Sequence, residues 1–450
     1  MLRRFLPAVT LVVAAALVAT PAEAVPSDLP AADGKPMLWP APGAVVAADE
    51  SGRPDSVTRY GFVDTAGELV VPAAYTSYSY CADADGRPAA VLASNADGSD
   101  LIAFTGQLIA QVDAPSAACA GTGYLIVTQP SEGRWEVGVV EAATGDPKLA
   151  PAADRKVTAV TASVVNVSQP AGEYFLDLTT GATTSHPGWV TVAGLESGAP
   201  GVPAASRRGS SGKPVGKLGY LGRTGKWLIA PSFDAASAFR GGYAVVEQNG
   251  RATFLDAGFR RVGGEWERIR PITIRAAIGE RVLGYWVEAD GRRGLLGPDL
   301  ETVVQPGPGQ IDCEPEAGVC VVVAPDGAAD LVQLPQGGAA TLPPGFTRAL
   351  TARLVADRSS GDGSGVTRIR SLDSGRTVTL PAPATCRGVG RLFVTCSGSP
   401  AIDGNGEQTE FISATTVPDP AGGLAYYWVT TANEQGFLDP DGRWRYREAR

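Results

Sequence analysis

An all-β fold built from repeated units is what this sequence predicts, and three observations predict it. The first is the stretch GYAVVEQNGRATFLDAG, Gly242 to Gly258, which reads as a β-hairpin. The second is that its order of strand, turn and strand recurs along the chain. The third is composition. Gly 56 and Pro 35 make about a fifth of the 450 residues, which suits many turns and short strands. Hydrophobic residues reach 44% and charged residues only 19%, so a large core can be buried.

The chain begins MLRRFLPAVTLVVAAALVATPAEA. Arg3 and Arg4 form a basic n-region, Phe5 to Val18 an apolar core, and Ala22-Glu23-Ala24 a small-residue cleavage site. Residues 1–24 are therefore read as a signal peptide, with a mature start near Val25. The apolar run is short for a membrane span, and no later stretch is suited to one. A secreted, extracellular protein without membrane insertion is the expectation.

The repeat then carries the rest. In the hairpin, Tyr243, Val245 and Glu247 fall on one strand face and Ala244, Val246 and Gln248 on the other. Asn249-Gly250 tolerates the positive φ angles of a type I′ turn. Arg251 to Asp256 returns as the next strand, and Phe259 to Val262 is expected as a short further one. The same grammar appears in YGFVDTAGELVVP (Tyr60 to Pro72), LGYLGRTGKWLIAP (Leu218 to Pro231), RGLLGPDLETVVQP (Arg293 to Pro306) and QGFLDPDGRWRY (Gln435 to Tyr446). Fainter copies are LIAFTGQLIA from Leu101, VGVVEAATGDPKLAP from Val137 and YFLDLTTGATTSHP from Tyr174.

Glycine anchors stand at Gly61, Gly138, Gly219, Gly294 and Gly436, with degenerate equivalents near Asp100, Tyr174, Thr253, Asp330, Ile369 and Pro400. Eleven anchors over that span give a period of about 37 residues, the mark of a stacked array. Each unit offers a linking segment and three meander strands, enough for a small propeller blade. The expectation is a β-propeller-like tandem array over residues 25–450, as one body or two propeller-like halves; an open twisted β-repeat array is the alternative. Arg348 to Arg358 reads as a strand, because Leu350, Ala352, Leu354 and Ala356 alternate.

These units resemble the WG repeat of bacterial proteins, best from Gly219 to Asp256. That pattern runs through a glycine, an aromatic-apolar-Asp strand, a Gly turn, and an apolar strand ending in proline before Tyr/Phe-Asp. No Trp-Gly pair occurs here; Tyr60, Leu218, Arg293 and Gln435 hold the tryptophan position. The resemblance implies an all-β repeat architecture, a binding or scaffold role, and no catalytic chemistry.

Six cysteines in an exported chain point to three disulfides. Cys81, Cys119, Cys313 and Cys386 lie 20, 19, 19 and 17 residues after their anchors, all in the linking segment. Cys320 and Cys396 fall in the strand that follows. Fifteen connectivities are open; phase favours Cys81–Cys119, Cys313–Cys320 and Cys386–Cys396. Metal binding is the weaker reading, with no Cys-x-x-Cys and a single histidine.

Chemistry is sparse. The histidine, His186, stands before Pro187 at a strand end and is read as exposed. Asp64, Asp177, Asp256, Asp403 and Asp439 share one turn position, where an aspartate can cap backbone N–H groups. DADG (Asp83 to Gly86) and DGNGE (Asp403 to Glu407) resemble calcium loops, but Ser94 and Ala414 replace the closing acid. Trp227 and Trp444 share a phase and are read as packing between units. No catalytic, cofactor-binding or metal residue and no cofactor is assigned. The net charge of −9 argues against nucleic acid. The reading is an exported, non-catalytic, monomeric binding or scaffold protein whose partner is a protein or an envelope glycan. The alternative is an exported carbohydrate-active enzyme, a glycoside hydrolase or lyase, using the turn carboxylates.

Overall fold

The structure, a computed structural model, describes residues 38–48, 54–64, 69–83, 88–114, 116–190, 199–209, 214–275, 279–335, 337–357, 365–397, 399–418, 424–439 and 442–449. The expected signal peptide, residues 1–24, lies outside them. The described chain forms eleven antiparallel sheets in tandem, nine of four strands and two of three. Among the described residues there is no α-helix, and one 3₁₀ turn spans Pro315–Ala317.

Numbered in chain order, sheet 1 covers 39–75, sheet 2 77–112, sheet 3 116–152, sheet 4 156–185, sheet 5 189–233 and sheet 6 235–266. Sheet 7 covers 268–307, sheet 8 310–341, sheet 9 348–384, sheet 10 386–402 and sheet 11 413–449. Strands follow one another in sequence order within every sheet. The first strand is the linking segment, and the next three are the meander. In sheet 1, the described strands begin with the meander. All eleven anchors fall on the second meander strand of successive sheets. Passage between sheets is abrupt: only Asp234 separates sheet 5 from sheet 6, and only Glu267 separates sheet 6 from sheet 7.

The opening hairpin forms as its residues dictate. Asn249 and Gly250 take φ of 55° and 74°, and Gln248 pairs with Arg251 across the turn. Both faces of this sheet are buried, each against a different neighbour. Ala244 and Val246 join Tyr220 and Phe233 of sheet 5. Tyr243, Val245 and Phe254 join Ile269, Val282 and Tyr285 of sheet 7. Every successive pair of sheets shares such a cluster. One of them also unites Tyr426, Trp428 and Phe437 of sheet 11 with Phe62 and Val63 of sheet 1 and Tyr80 and Val91 of sheet 2. Packing thus returns from the last sheet to the first, the contact of a propeller ring.

The structure also supplies the reason for the repeat's glycine and proline. Opposite Gly219 the last strand bulges: Leu218 pairs with Phe233 but Tyr220 with Ile229, leaving Ala230, Pro231 and Ser232 facing one glycine. The strand also bulges opposite Gly61, by the same three residues, and opposite Gly138 and Gly294, by two. A Cβ on these glycines would lie 2.6, 2.8 and 2.8 Å from the carbonyl oxygens of Val71, Leu149 and Val304. Proline, which has no N–H for the ladder, occupies the bulge where the ladder is broken. The unit at Gly436 has no such proline, and its last strand pairs without a shift from Glu434 to Phe437.

Two local expectations are corrected. Arg348 to Arg358 is not one strand: Arg348–Ala349 and Leu354–Ala356 flank a turn, in which Thr351 Oγ1 accepts from the N–H groups of Arg353 and Leu354. The strand expected from Phe259 runs instead from Arg261 to Trp266, because Phe259 takes a positive φ of 62° to complete the turn.

Asp357 closes the hairpin that follows. It is buried, and it accepts from the Thr367 N–H and hydroxyl and from the Arg368 N–H and Nε, at 2.6–2.9 Å. Burial alone would raise its pKa, but these hydrogen bonds outweigh burial and hold it at about 2, against an ordinary 3.8. The folded value lies below the unfolded one, so its contribution is complete above about pH 4 and fades as pH falls towards 2. Asp357→Asn should therefore cost about 2 kcal/mol at neutral pH and flatten the acid limb of a stability–pH profile below pH 4. Urea unfolding at several pH values measures both.

Candidate functional site

Four of the five turn aspartates are engaged by their own turns. Asp177 Oδ1 accepts from the N–H groups of Thr179 and Thr180, and Asp256 Oδ1 from those of Gly258 and Arg260. Asp403 Oδ1 accepts from Asn405 and Glu407, and Asp439 Oδ1 from Arg443. Backbone hydrogen bonding, led by Thr180 for Asp177 and by Arg260 for Asp256, lowers both pKa values. A general acid of a glycosidase needs the opposite shift. Asp64 and Asp83 border residues outside those described. Among the described residues, no three His, Cys, Asp or Glu side chains form a group able to hold a metal ion.

One carboxyl does shift upward. Glu314, on the first strand of sheet 8, is raised by burial and then by the neighbouring Glu316, with Arg348 opposing. The sequence carried no signal for it, since it sits in no recurring phase.

His186 is half-buried, not exposed as expected. Its ring packs on Phe175 with centroids 4.5 Å apart. Nδ1 donates to the Gly188 carbonyl at 2.8 Å, and Nε2 lies 3.0 Å from Asn166 Oδ1. Burial pushes its pKa down. Asn166 is itself buried and neighbours Glu173. Trp227 and Trp444 are half-buried in the cores between sheets 4 and 5 and between sheets 10 and 11, the packing role read from their phase.

The structure brings the cysteines together as Cys81 with Cys119, Cys313 with Cys320 and Cys386 with Cys396. The first joins the linking strands of sheets 2 and 3, over a sequence separation of 38. The others join residues directly opposite each other on the first two strands of sheets 8 and 10. These are the partners that phase favours. Non-reducing peptide mapping should recover the three pairs, and free thiols at all six positions would contradict them.

A concavity with a volume of about 250 Å³ lies between sheets 6 and 7. Ala236, Ala238, Val245, Ile269 and Pro271 give it an apolar lining, with Tyr243 and Tyr285 beside them. Its charged groups are Glu247 and Arg240, and Arg240 pairs with Glu280 at 2.7 Å. It is small for a cofactor site. A second hollow between the same two sheets, of about 480 Å³, is lined by Glu247, Glu267, Arg268 and Glu288.

The model of the WG containing repeat matches residues 60–80 and 219–251. No curated protein matches the chain in sequence. Among solved structures, the chain is similar to a eukaryotic initiation factor with TM-score 0.37 and 9% identity, covering 78% of this chain and 97% of that one. It is also similar to PorZ of Porphyromonas gingivalis, described as an essential bacterial surface component of the type-IX secretion system. There the TM-score is 0.24 and identity 12%, over 83% of this chain and 60% of that one. Neither likeness is close enough to carry an argument about function. The chain is thus an array of eleven β-sheets in which two units match the WG containing repeat.

Proposed function

We propose that the chain is an exported, non-catalytic β-repeat protein that binds a protein or an envelope glycan, as a monomer, in or outside the cell envelope. One observation carries this reading: four of the five recurring carboxylates, those of Asp177, Asp256, Asp403 and Asp439, are occupied as caps of their own turns. An enzyme needs a few residues that break the repeat and converge in one cavity. Among the described residues no helix is long and apolar enough to cross a membrane.

The test is a panel of polysaccharides, peptides and esters assayed with the wild type and with His186→Ala, Asp83→Asn, Glu314→Gln and Asp403→Asn. No turnover is expected. Removing a general acid or base typically lowers a rate by roughly 10²–10⁴. Turnover that one of these substitutions abolishes, with the fold intact, would establish the carbohydrate-active alternative.

A further inference from the structure

Asn-Gly occurs twice in the sequence, at Asn249-Gly250 and at Asn405-Gly406. Both asparagines are exposed and both pairs sit in turns, so neither residue type nor exposure separates them. The hydrogen bonds around the glycine nitrogen do.

At the second pair that nitrogen is tied down. The Gly406 N–H donates to the Asp403 carbonyl at 2.9 Å, and the Asn405 N–H to Asp403 Oδ1 at 3.0 Å. The Asn405 carbonyl accepts from Ser374 Oγ at 2.7 Å, which fixes the turn to sheet 9. Gly406 is buried, and a Cβ on it would lie 3.4 Å from Ser371 and 3.5 Å from the Arg376 carbonyl oxygen. At the first pair, the Gly250 N–H makes no hydrogen bond among the described residues. Nothing lies within 4 Å of a Cβ built there. Asn249 is held by its own N–H, which donates to Asp234 Oδ2 at 2.9 Å. Rotation of the peptide that follows therefore breaks no bond of the Gly250 nitrogen.

We infer that Asn249 is a modification site, at which water replaces the side-chain ammonia through a cyclic imide. The Gly250 amide nitrogen loses its proton to solvent base and bonds to Asn249 Cγ, while the Cγ–Nδ2 bond breaks and ammonia leaves. Water then opens the ring. Addition at Cγ gives aspartate, and addition at the backbone carbonyl gives isoaspartate, in which the main chain runs through Cγ. Glycine permits the closure because no Cβ crowds the attacking nitrogen. A misplacement of ~1 Å between reacting groups can cost ~100-fold in rate, which sets the loose turn apart from the one pinned to sheet 9.

The two products should differ in effect. Sheet 7 already carries Asp290-Gly291 in the same turn, with φ of 51° and 68° and Ala289 paired to Arg292. Aspartate at 249 therefore fits the hairpin and adds only a negative charge, beside Asp234 and the hollow that Glu247 and Gly250 line. Isoaspartate lengthens the main chain by one carbon. Register in a two-residue hairpin is set by the turn, so the pairing of Gln248 with Arg251 is lost.

The experiment is ageing of the purified protein in heavy-oxygen water at mildly alkaline pH, folded and in concentrated urea, followed by peptide mapping. In the folded protein Asn249 should convert at least about tenfold faster than Asn405, giving labelled aspartate and isoaspartate. In urea the two rates should converge. Gly250→Ala should slow the conversion. The isoaspartyl form, separated by chromatography, should unfold at a lower urea concentration than Asn249→Asp, which should stay close to the wild type. Equal rates at the two asparagines in the folded protein, or conversion of Asn249 only after unfolding, would overturn the assignment, as would aspartate as the sole product. A ratio that persists in urea would place the cause in the flanking residues and overturn the role of the tethers. Equal stability of the isoaspartyl and aspartyl forms would overturn the loss of register.

Discussion

Gly219→Ala should cost about 3 kcal/mol of unfolding free energy, the upper end of what overpacking does. The added Cβ would lie 2.3 Å from the Ile229 carbonyl oxygen and 2.8 Å from the Pro231 nitrogen. Both are backbone atoms, so no side-chain rotation relieves the contact. The bulge would have to flatten, but Pro231 has no N–H with which to join a straightened ladder. Gly250→Ala is the contrasting variant. Unlike Gly219 it has a positive φ, 74°, and nothing lies within 4 Å of its added Cβ. Only the left-handed backbone term remains there, about 1–2 kcal/mol. Urea denaturation of both variants compares them, and equal losses would show that the close approach to the bulge does not explain the repeat's glycine.

This contrast also shows what could be read in the sequence and what could not. The Asn249-Gly250 turn and the eleven anchors were legible because turn chemistry and repeat phase are local properties. The caps were legible for the same reason: an aspartate reaches N–H groups two to four residues ahead, as Asp403 does with Asn405 and Glu407. What lay hidden depends on residues brought together from afar. His186 is half-buried because Phe175 and Asn166 meet it across the sheet, which its strand-end position did not announce. Arg348 to Arg358 was misread for another reason. Both faces of a sheet are buried here, so alternation continues through a turn such as the one at Thr351 without a polar break.

Phe437→Ala should cost about 3–5 kcal/mol, the loss expected for a fully buried phenylalanine, although the residue lies in the last sheet. In an open stack the end units have one neighbour, fray first and contribute least to the whole. Here Phe437 is 1% exposed, packs on Trp428 with centroids 4.8 Å apart, and shares its cluster with Phe62 and Val63 of sheet 1. Sheet 11 therefore has neighbours on both sides, sheet 10 through Tyr427 and Leu438 and sheet 1 through Phe437. The distinguishing readout is where protection is lost. Hydrogen exchange should accelerate in Pro54–Val63 and Leu69–Tyr75, at the other end of the sequence, as well as in sheet 11. Phe254→Ala, at the contact between sheets 6 and 7, provides the internal standard. A loss near that of Phe254→Ala, with exchange transmitted to sheet 1, is the behaviour of a closed ring. A loss confined to sheet 11 and well below the standard would mean that the array is open in solution.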